Sequence, residues 1–145
     1  MKNAACMLIA LLMAWAGVFL SAGSSPAADT ADPSGYVQAY YFHATRRCAT
    51  CMKLEQYSRS AIETNFKEQL SNKTLRFAEV NFDEPENRHF LQDYNLMYRS
   101  LVLVRYKDGK QVTYKNLEKI WQLVDSEKDF SDYVKTEVEA MLKEL

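Results

Sequence analysis

The sequence predicts a single α/β domain of three layers, in which a mixed β-sheet lies between helices. The chain has 145 residues, the length of one compact domain. Apolar residues make up 48% of it and charged residues 26%, which is typical of a globular protein. Strand-like and helix-like segments alternate along the chain, and two strand-like segments then follow each other across a turn. Alternation followed by a hairpin favours a mixed sheet with helices on both faces.

The first 28 residues have the three regions of a secretory signal peptide. Lys2 supplies a positive charge, residues 4–20 form an uninterrupted apolar run, and small residues follow. We expect cleavage near Ala27 or Ala28 and export of the mature protein, with the periplasm as its compartment. The alternative is a retained membrane anchor, in which case this segment is the part of the protein that contacts a membrane.

The rest of the chain divides into a flexible leader over residues 29–35 and one domain over residues 36–145. Residues 37–42 are rich in β-branched and aromatic side chains and predict a buried strand. From Cys48 onward, apolar residues recur at steps of three and four, which predicts a helix. Residues 75–82 alternate with period two and predict a second strand.

The second half of the domain predicts a short helix, a hairpin and two final helical segments. Pro85 suits the first turn of the short helix. Residues 101–104 form a continuous apolar run typical of a central strand, and residues 107–110 supply a hairpin turn into the next strand. Apolar stripes at helical spacing follow over residues 117–124 and 130–145.

The net charge and the absence of certain motifs argue against a nucleic-acid partner and against a flavin or nicotinamide cofactor. The net charge of −1 gives no electrostatic attraction to nucleic acid, so no nucleic-acid partner is expected. No segment has the pattern of a flavin or nicotinamide site, so no cofactor is expected.

Cysteine usage indicates chemistry at one place in the chain. Of the three cysteines, Cys6 lies in the predicted signal peptide, so the mature chain keeps Cys48 and Cys51. One local pair cannot make a disulfide scaffold, and it closes so short a loop that it adds little stability. The pair is therefore better explained by chemistry than by stabilisation.

Cys48 is expected at the N-terminus of the predicted helix, with Cys51 one turn further along. Unpaired backbone N–H groups and the helix dipole favour a thiolate there, and Arg46 and Arg47 add positive charge beside it. These influences lower the expected pKa of the Cys48 thiol. The sequence thus predicts that Cys48 is the attacking cysteine and Cys51 the resolving cysteine.

Two other uses of the pair remain open. The first is a structural disulfide without turnover. The second is a metal site, because two thiolates with His43 would be a soft ligand set. A closed tetrahedral site needs a fourth ligand, and the only other histidine, His89, lies far along the chain.

Two further side chains are candidates for tuning the pair. His43 ends the first strand before the cysteine loop; it either shuttles protons and tunes the thiolate or packs at the sheet edge. Glu79, on the second strand, is a candidate buried acid that assists Cys51.

Several short segments together carry a family resemblance. They are a strand ending in Phe42, Cys48-Ala49-Thr50-Cys51, residues 80–84, residues 94–96 and a strand starting at Leu101. Over most of the mature chain, this pattern resembles the thioredoxin superfamily. The resemblance implies a central mixed sheet flanked by helices, with Cys48 in the attacking role and Cys51 in the resolving role.

Four positions depart from the pattern of ordinary thioredoxins. Arg47 replaces the tryptophan before the first cysteine, and Ala49-Thr50 replaces the Gly-Pro dipeptide. Ser100 stands where the family has a cis-proline that guides the substrate backbone and discourages metal ligation, so the metal alternative stays open. With a trans bond before Ser100, we expect Arg99 to face the cysteines as a third positive neighbour.

A narrower likeness lies in residues 40–43, 46–51, 80–81 and 116–117 together with Trp121. These segments are similar to small exported bacterial proteins of the ArsF-like family, which is labelled as a nitrophenyl compound nitroreductase subunit. The label implies a partner enzyme.

The expected function is that of an exported thiol–disulfide oxidoreductase or electron-transfer protein. Its partner would be a protein with a disulfide or dithiol, or a reductase subunit. One alternative is a protein that binds copper, zinc or an arsenic species through Cys48, Cys51 and His43. The other is a non-catalytic accessory subunit of a reductase.

Overall fold

The computed structural model describes residues 33–145, so the predicted signal peptide and most of the predicted leader lie outside the described residues. The helices and strands are β1 (Gly35–His43), α1 (Ala49–Asn65), α2 (Lys67–Ser71), β2 (Leu75–Asn81), α3 (His89–Asp93), β3 (Ser100–Lys107), β4 (Lys110–Asn116) and α4 (Glu127–Leu142). Short 3-10 helices, Pro85–Asn87 and Glu118–Trp121, precede α3 and follow β4. Every helix within the described range is too short or too polar to cross a bilayer.

The strands form one mixed sheet in the order β2-β1-β3-β4. β1 and β2 are parallel, because α1 and α2 carry the chain back to the edge where β1 began. β3 runs antiparallel to both β1 and β4. A parallel β-α-β unit followed by an antiparallel hairpin, in this strand order, is the topology of the thioredoxin-like fold. The predicted three-layer α/β fold is therefore confirmed.

Helices cover both faces of the sheet. Because side chains alternate along a strand, Tyr41 and Leu103 face the core formed with α1 and α4. Phe42 and Val102 face the smaller core beside α3. β1 is buried on both faces, so its end, from which the chain leads into α1, is held at the centre of the molecule.

Two boundaries in the first half differ from the predicted ones. β1 begins at Gly35, two residues before the strand predicted over residues 37–42. The helical segment after Cys48 is interrupted at Phe66, where the backbone leaves the helical region with φ −128° and ψ 37°. The Phe66 side chain is 3% exposed and packs in the main core.

Two predictions around β4 have different outcomes. The hairpin turn is confirmed: Asp108 and Gly109 have φ values of 50° and 73°, the left-handed region that a two-residue hairpin turn requires. The helical segment predicted over residues 117–124 is a short 3-10 helix with turns instead. Leu117 and Ile120 lie one 3-10 turn apart and both are fully buried. In a 3-10 helix, residues three apart lie on the same side, so both side chains face the core.

Candidate redox site

The loop after β1 places Cys48 at the start of α1. Cys48 is the N-cap residue of this helix, with an extended backbone of φ −100° and ψ 162°. Its sulfur accepts a hydrogen bond of 3.1 Å from the backbone N–H of Cys51, in the way that an N-cap side chain normally does. The same N–H and the helix dipole would stabilise a negative sulfur at Cys48 once the disulfide is reduced.

Cys48 and Cys51 form a disulfide, with an S–S distance of 2.10 Å and a Cα–Cα distance of 5.0 Å. The two residues differ in access to solvent. Cys48 is exposed, whereas Cys51 is 1% exposed. A thiolate arriving from outside can therefore reach Cys48 and is kept away from Cys51.

Tyr41 supports the first turn of α1 from the sheet. Its side chain is fully buried, and its hydroxyl donates a hydrogen bond of 2.8 Å to the carbonyl oxygen of Cys51. Burial raises the pKa of this hydroxyl to about 12; the charges of Arg47 and Arg99 lower it, and that of Glu79 raises it. The charges of all three side chains thus act on the hydroxyl that bonds to Cys51.

Arg47 lies between His43 and Glu55. Its Nη2 donates to Nε2 of His43 at 2.9 Å, and its Nη1 forms an ion pair with Oε2 of Glu55. His43 is 9% exposed, and its Nδ1 lies 3.1 Å from the carbonyl oxygen of Ala44. The ring therefore donates from Nδ1 and accepts at Nε2. The guanidinium of Arg47 is held against the protein, and the carboxylate of Glu55 compensates its charge.

Arg99 connects the loop before β3 to the loop before α1. Its Nη2 donates to the carbonyl oxygen of Arg46 at 2.9 Å, and its own carbonyl oxygen accepts from Nε1 of Trp121 at 2.9 Å. Ser100 is 5% exposed and its hydroxyl donates to the carbonyl oxygen of Tyr98 at 3.1 Å. The peptide bond before Ser100 is trans, as are all peptide bonds of residues 33–145.

Glu79 is half-buried beside α1. Its Oε1 accepts a hydrogen bond of 2.5 Å from Nη2 of Arg59, which lies two turns beyond Cys51 along the helix. In the sheet, Glu79 is paired with Tyr41 of β1. The structure thus brings Glu79 to Arg59, and the charge of Glu79 contributes to the raised pKa of the Tyr41 hydroxyl.

The side chains proposed for a metal site are engaged in other contacts. Nε2 of His43 accepts from Arg47, and Nδ1 of His89 lies 2.7 Å from Oδ2 of Asp93 on α3. Across the part of the chain that the structure describes, no group of three or more His, Cys, Asp and Glu side chains is arranged to hold a metal ion. The ligand set of Cys48, Cys51 and His43 is not assembled here.

A cleft of about 530 Å³ opens next to the start of β3. Its lining consists of Asn95, Met97, Tyr98, Ser100, Asn116, Glu118, Trp121 and Gln122. Met97 and Tyr98 are 78% and 65% exposed. Exposed apolar side chains therefore lie on the loop before β3, the loop that Arg99 joins to the loop before α1.

Sequence reasoning does not single out two of the residues in contact with this site. It treats Tyr41 as part of a buried strand, and it makes no prediction about Glu55. Glu55 follows Cys51 by four residues, which places both on one face of α1, and this spacing is the signal that points to it. Nothing in the sequence indicates that the Tyr41 hydroxyl meets the carbonyl of Cys51.

Comparison with known proteins finds similarity among solved structures. No protein-family model matches the sequence, and no curated protein matches it. The thioredoxin of Fasciola hepatica is 18% identical with a TM-score of 0.38, covering 66% of this chain and 81% of that chain. The Schistosoma mansoni thioredoxin pre-protein is 19% identical with a TM-score of 0.39, covering 67% and 81%. The first two thioredoxin domains of Naumovozyma dairenensis Eps1p are 18% identical with a TM-score of 0.45, covering 72% and 36%.

Proposed function

We propose that the protein is a thiol–disulfide oxidoreductase that exchanges electrons between its Cys48–Cys51 pair and a disulfide or dithiol of a partner protein. The observation that carries this proposal is the inequality of the two cysteines. Cys48 is exposed and its sulfur bonds to a backbone N–H at a helix N-terminus, while Cys51 is 1% exposed. An attacking sulfur needs access and a stabilised thiolate, whereas a resolving sulfur needs only to lie beside it.

The exchange proceeds through a mixed disulfide. In the reducing direction, the Cys48 thiolate attacks one sulfur of the partner's disulfide. A bond forms between these two sulfurs, the partner's S–S bond breaks, and the departing partner thiolate takes up a proton. Cys51 then loses its proton and attacks the sulfur of Cys48, and the partner's second sulfur leaves as a thiolate that takes up a proton. The pair passes two electrons to the partner; one of the two protons that the partner gains comes from Cys51, and the other comes from solvent, to which Cys48 gave up its proton on becoming a thiolate. The reverse sequence oxidises a partner dithiol.

The proposal extends to the cellular compartment and to the class of partner. The signal-peptide pattern of residues 1–28 supports action after export, in the periplasm. The likeness to the ArsF-like family supports a reductase subunit as one class of partner. Cell fractionation tests the compartment, and co-purification tests the partner.

The first experiment is a thiol-trapping titration of the purified protein in glutathione buffers, with a metal assay on the same sample. We expect a reversible two-electron transition between about −120 and −270 mV, the range of working thiol oxidoreductases. A disulfide that resists reduction below about −300 mV would contradict turnover and leave a structural disulfide. Stoichiometric metal without a transition would favour a binding protein instead.

Cysteine variants test the order of attack. We expect Cys48→Ser to abolish exchange with oxidised glutathione, and Cys51→Ser to accumulate a mixed disulfide with glutathione that mass spectrometry detects. Cys6→Ser in the full-length chain is the matched control: it removes the third cysteine, which lies in the predicted signal peptide, and it should leave the exchange unchanged. Full exchange in Cys48→Ser, or accumulation of the mixed disulfide on Cys51 in that variant, would reverse the assignment.

A further inference from the structure

Arg47 and Glu55 form a partly buried ion pair beside the redox pair. Their side chains are 31% and 20% exposed, so solvent and salt screen this pair less than they screen an ordinary surface pair. Arg47 is also anchored from its other side, because its Nη2 donates to Nε2 of His43 at 2.9 Å. Two contacts, one at each terminal nitrogen, hold the guanidinium in one place.

That place matters electrostatically. Arg47 directly precedes Cys48, and its charge acts on the Tyr41 hydroxyl, which bonds to the carbonyl of Cys51. An uncompensated guanidinium here would favour the reduced pair, because reduction creates a thiolate. The negative charge of Glu55, paired with the guanidinium, opposes this effect.

We propose that Glu55 is a positioning residue that sets the redox equilibrium of the Cys48–Cys51 pair by holding Arg47 against His43 and compensating its charge. This inference rests on the proposed function, since it assigns Glu55 a role in the same exchange. Glu55 acts through Arg47, its ion-pair partner. Arg46, Arg47 and the helix N-terminus favour the thiolate and so make the pair more oxidising. Glu55 offsets the charge of Arg47 and makes the pair more reducing.

The test is a charge-removal cycle read out as the equilibrium constant for oxidation of the pair by glutathione. Glu55→Gln keeps the size of the side chain and removes its charge, so we expect this constant to fall by about threefold to tenfold. A tenfold fall corresponds to a potential about 30 mV less negative. Arg47→Gln leaves Glu55 uncompensated and should raise the constant. The double variant should return close to the wild-type value, because neither charge remains.

Glu63→Gln is the matched control. It removes an exposed carboxylate further along α1, where it pairs with Arg59, and the equilibrium constant should stay at the wild-type value. A second readout is the ring ¹⁵N chemical shifts of His43, which should change in Arg47→Gln, because Nε2 then loses its hydrogen bond from Arg47.

The failures of the two proposals are distinguishable. Absence of any reversible transition in the wild-type protein would overturn the proposed function. A reversible transition whose constant is the same in the wild type and in Glu55→Gln would overturn the role of Glu55 alone. Should Glu55→Gln fail to fold, Arg47→Gln tests the same charge compensation with the opposite sign, and an unchanged constant there overturns the inference.

Discussion

The hydroxyl of Tyr41 and the carbonyl oxygen of Cys51 lie 2.8 Å apart, and their hydrogen bond joins the centre of the sheet to the first turn of α1. Tyr41 is fully buried, and its backbone pairs with Glu79 of β2 and Leu101 of β3. The helix that carries the cysteine pair is therefore tied to a strand that is buried on both faces. The contribution of this hydrogen bond to the free energy of unfolding can be measured.

Replacing Tyr41 with phenylalanine removes the hydroxyl and keeps the ring. We expect the free energy of unfolding of the oxidised protein to fall by about 1 kcal/mol, the usual net contribution of one hydrogen bond. Urea unfolding followed by circular dichroism measures it. Tyr57→Phe is the control, because the half-buried Tyr57 makes ring contacts but no hydroxyl hydrogen bond within the described residues. Equal losses in both variants would show that the bond to Cys51 contributes nothing.

Alkaline solution should remove the stability that Tyr41 supplies. Burial raises the pKa of its hydroxyl from the ordinary 10.0 to about 12, so the unfolded chain loses this proton first. Stability from the protonated hydroxyl is complete below about pH 10 and is lost as the pH rises from about 10 to about 12. The advantage of the wild type over Tyr41→Phe should therefore be constant between about pH 7 and 9 and shrink above about pH 10.

Unfolding curves of both proteins across that range are the measurement. Burial also raises the pKa of Tyr40 and of Tyr94, but the variant retains both, so their contributions cancel in the comparison. The oxidised protein is used throughout, because a disulfide does not titrate. A difference between the two proteins that stays constant up to about pH 12 would be inconsistent with a buried, protonated Tyr41.

Local patterns were sufficient to predict most of the fold. The β-branched and aromatic residues of β1, the alternation in β2 and the hairpin turn at Asp108-Gly109 each depend on neighbours in sequence. The start of α1 at Ala49, with Cys48 as its N-cap, is also a local feature. The interruption at Phe66 was not predictable in this way, because Phe66 follows Ile62 by four residues and precedes Leu70 by four, which is the spacing of a continuous helix.

The side-chain contacts around the cysteine pair do not follow from local patterns. Sequence reasoning treats Arg47 as a free cation beside the attacking cysteine, whereas its guanidinium is held by His43 and Glu55. Arg99 meets the carbonyl of Arg46 across 53 positions of sequence. That contact exists because β1 and β3 are neighbours in the sheet, and it depends on one side-chain conformation that no periodicity specifies.

Removing Arg99 should make the cysteine pair more reducing. Its charge acts on the Tyr41 hydroxyl, which bonds to Cys51, so it favours the thiolate form of the pair. We expect Arg99→Ala to lower the reduction potential by on the order of 10–30 mV, since 30 mV corresponds to about 1.4 kcal/mol for this two-electron couple. Lys107→Ala is the control: it removes an exposed positive charge at the far end of β3, about 25 Å away at strand spacing.

A third variant separates the charge of Arg99 from its hydrogen bond to Arg46. Arg99→Lys keeps the positive charge but lacks the planar guanidinium that reaches the carbonyl of Arg46 at 2.9 Å. If the charge sets the potential, the lysine variant should stay near the wild-type value while the alanine variant shifts. A lysine variant that shifts as far as the alanine variant would assign the effect to the hydrogen bond, and with it to the position of the loop that leads into α1.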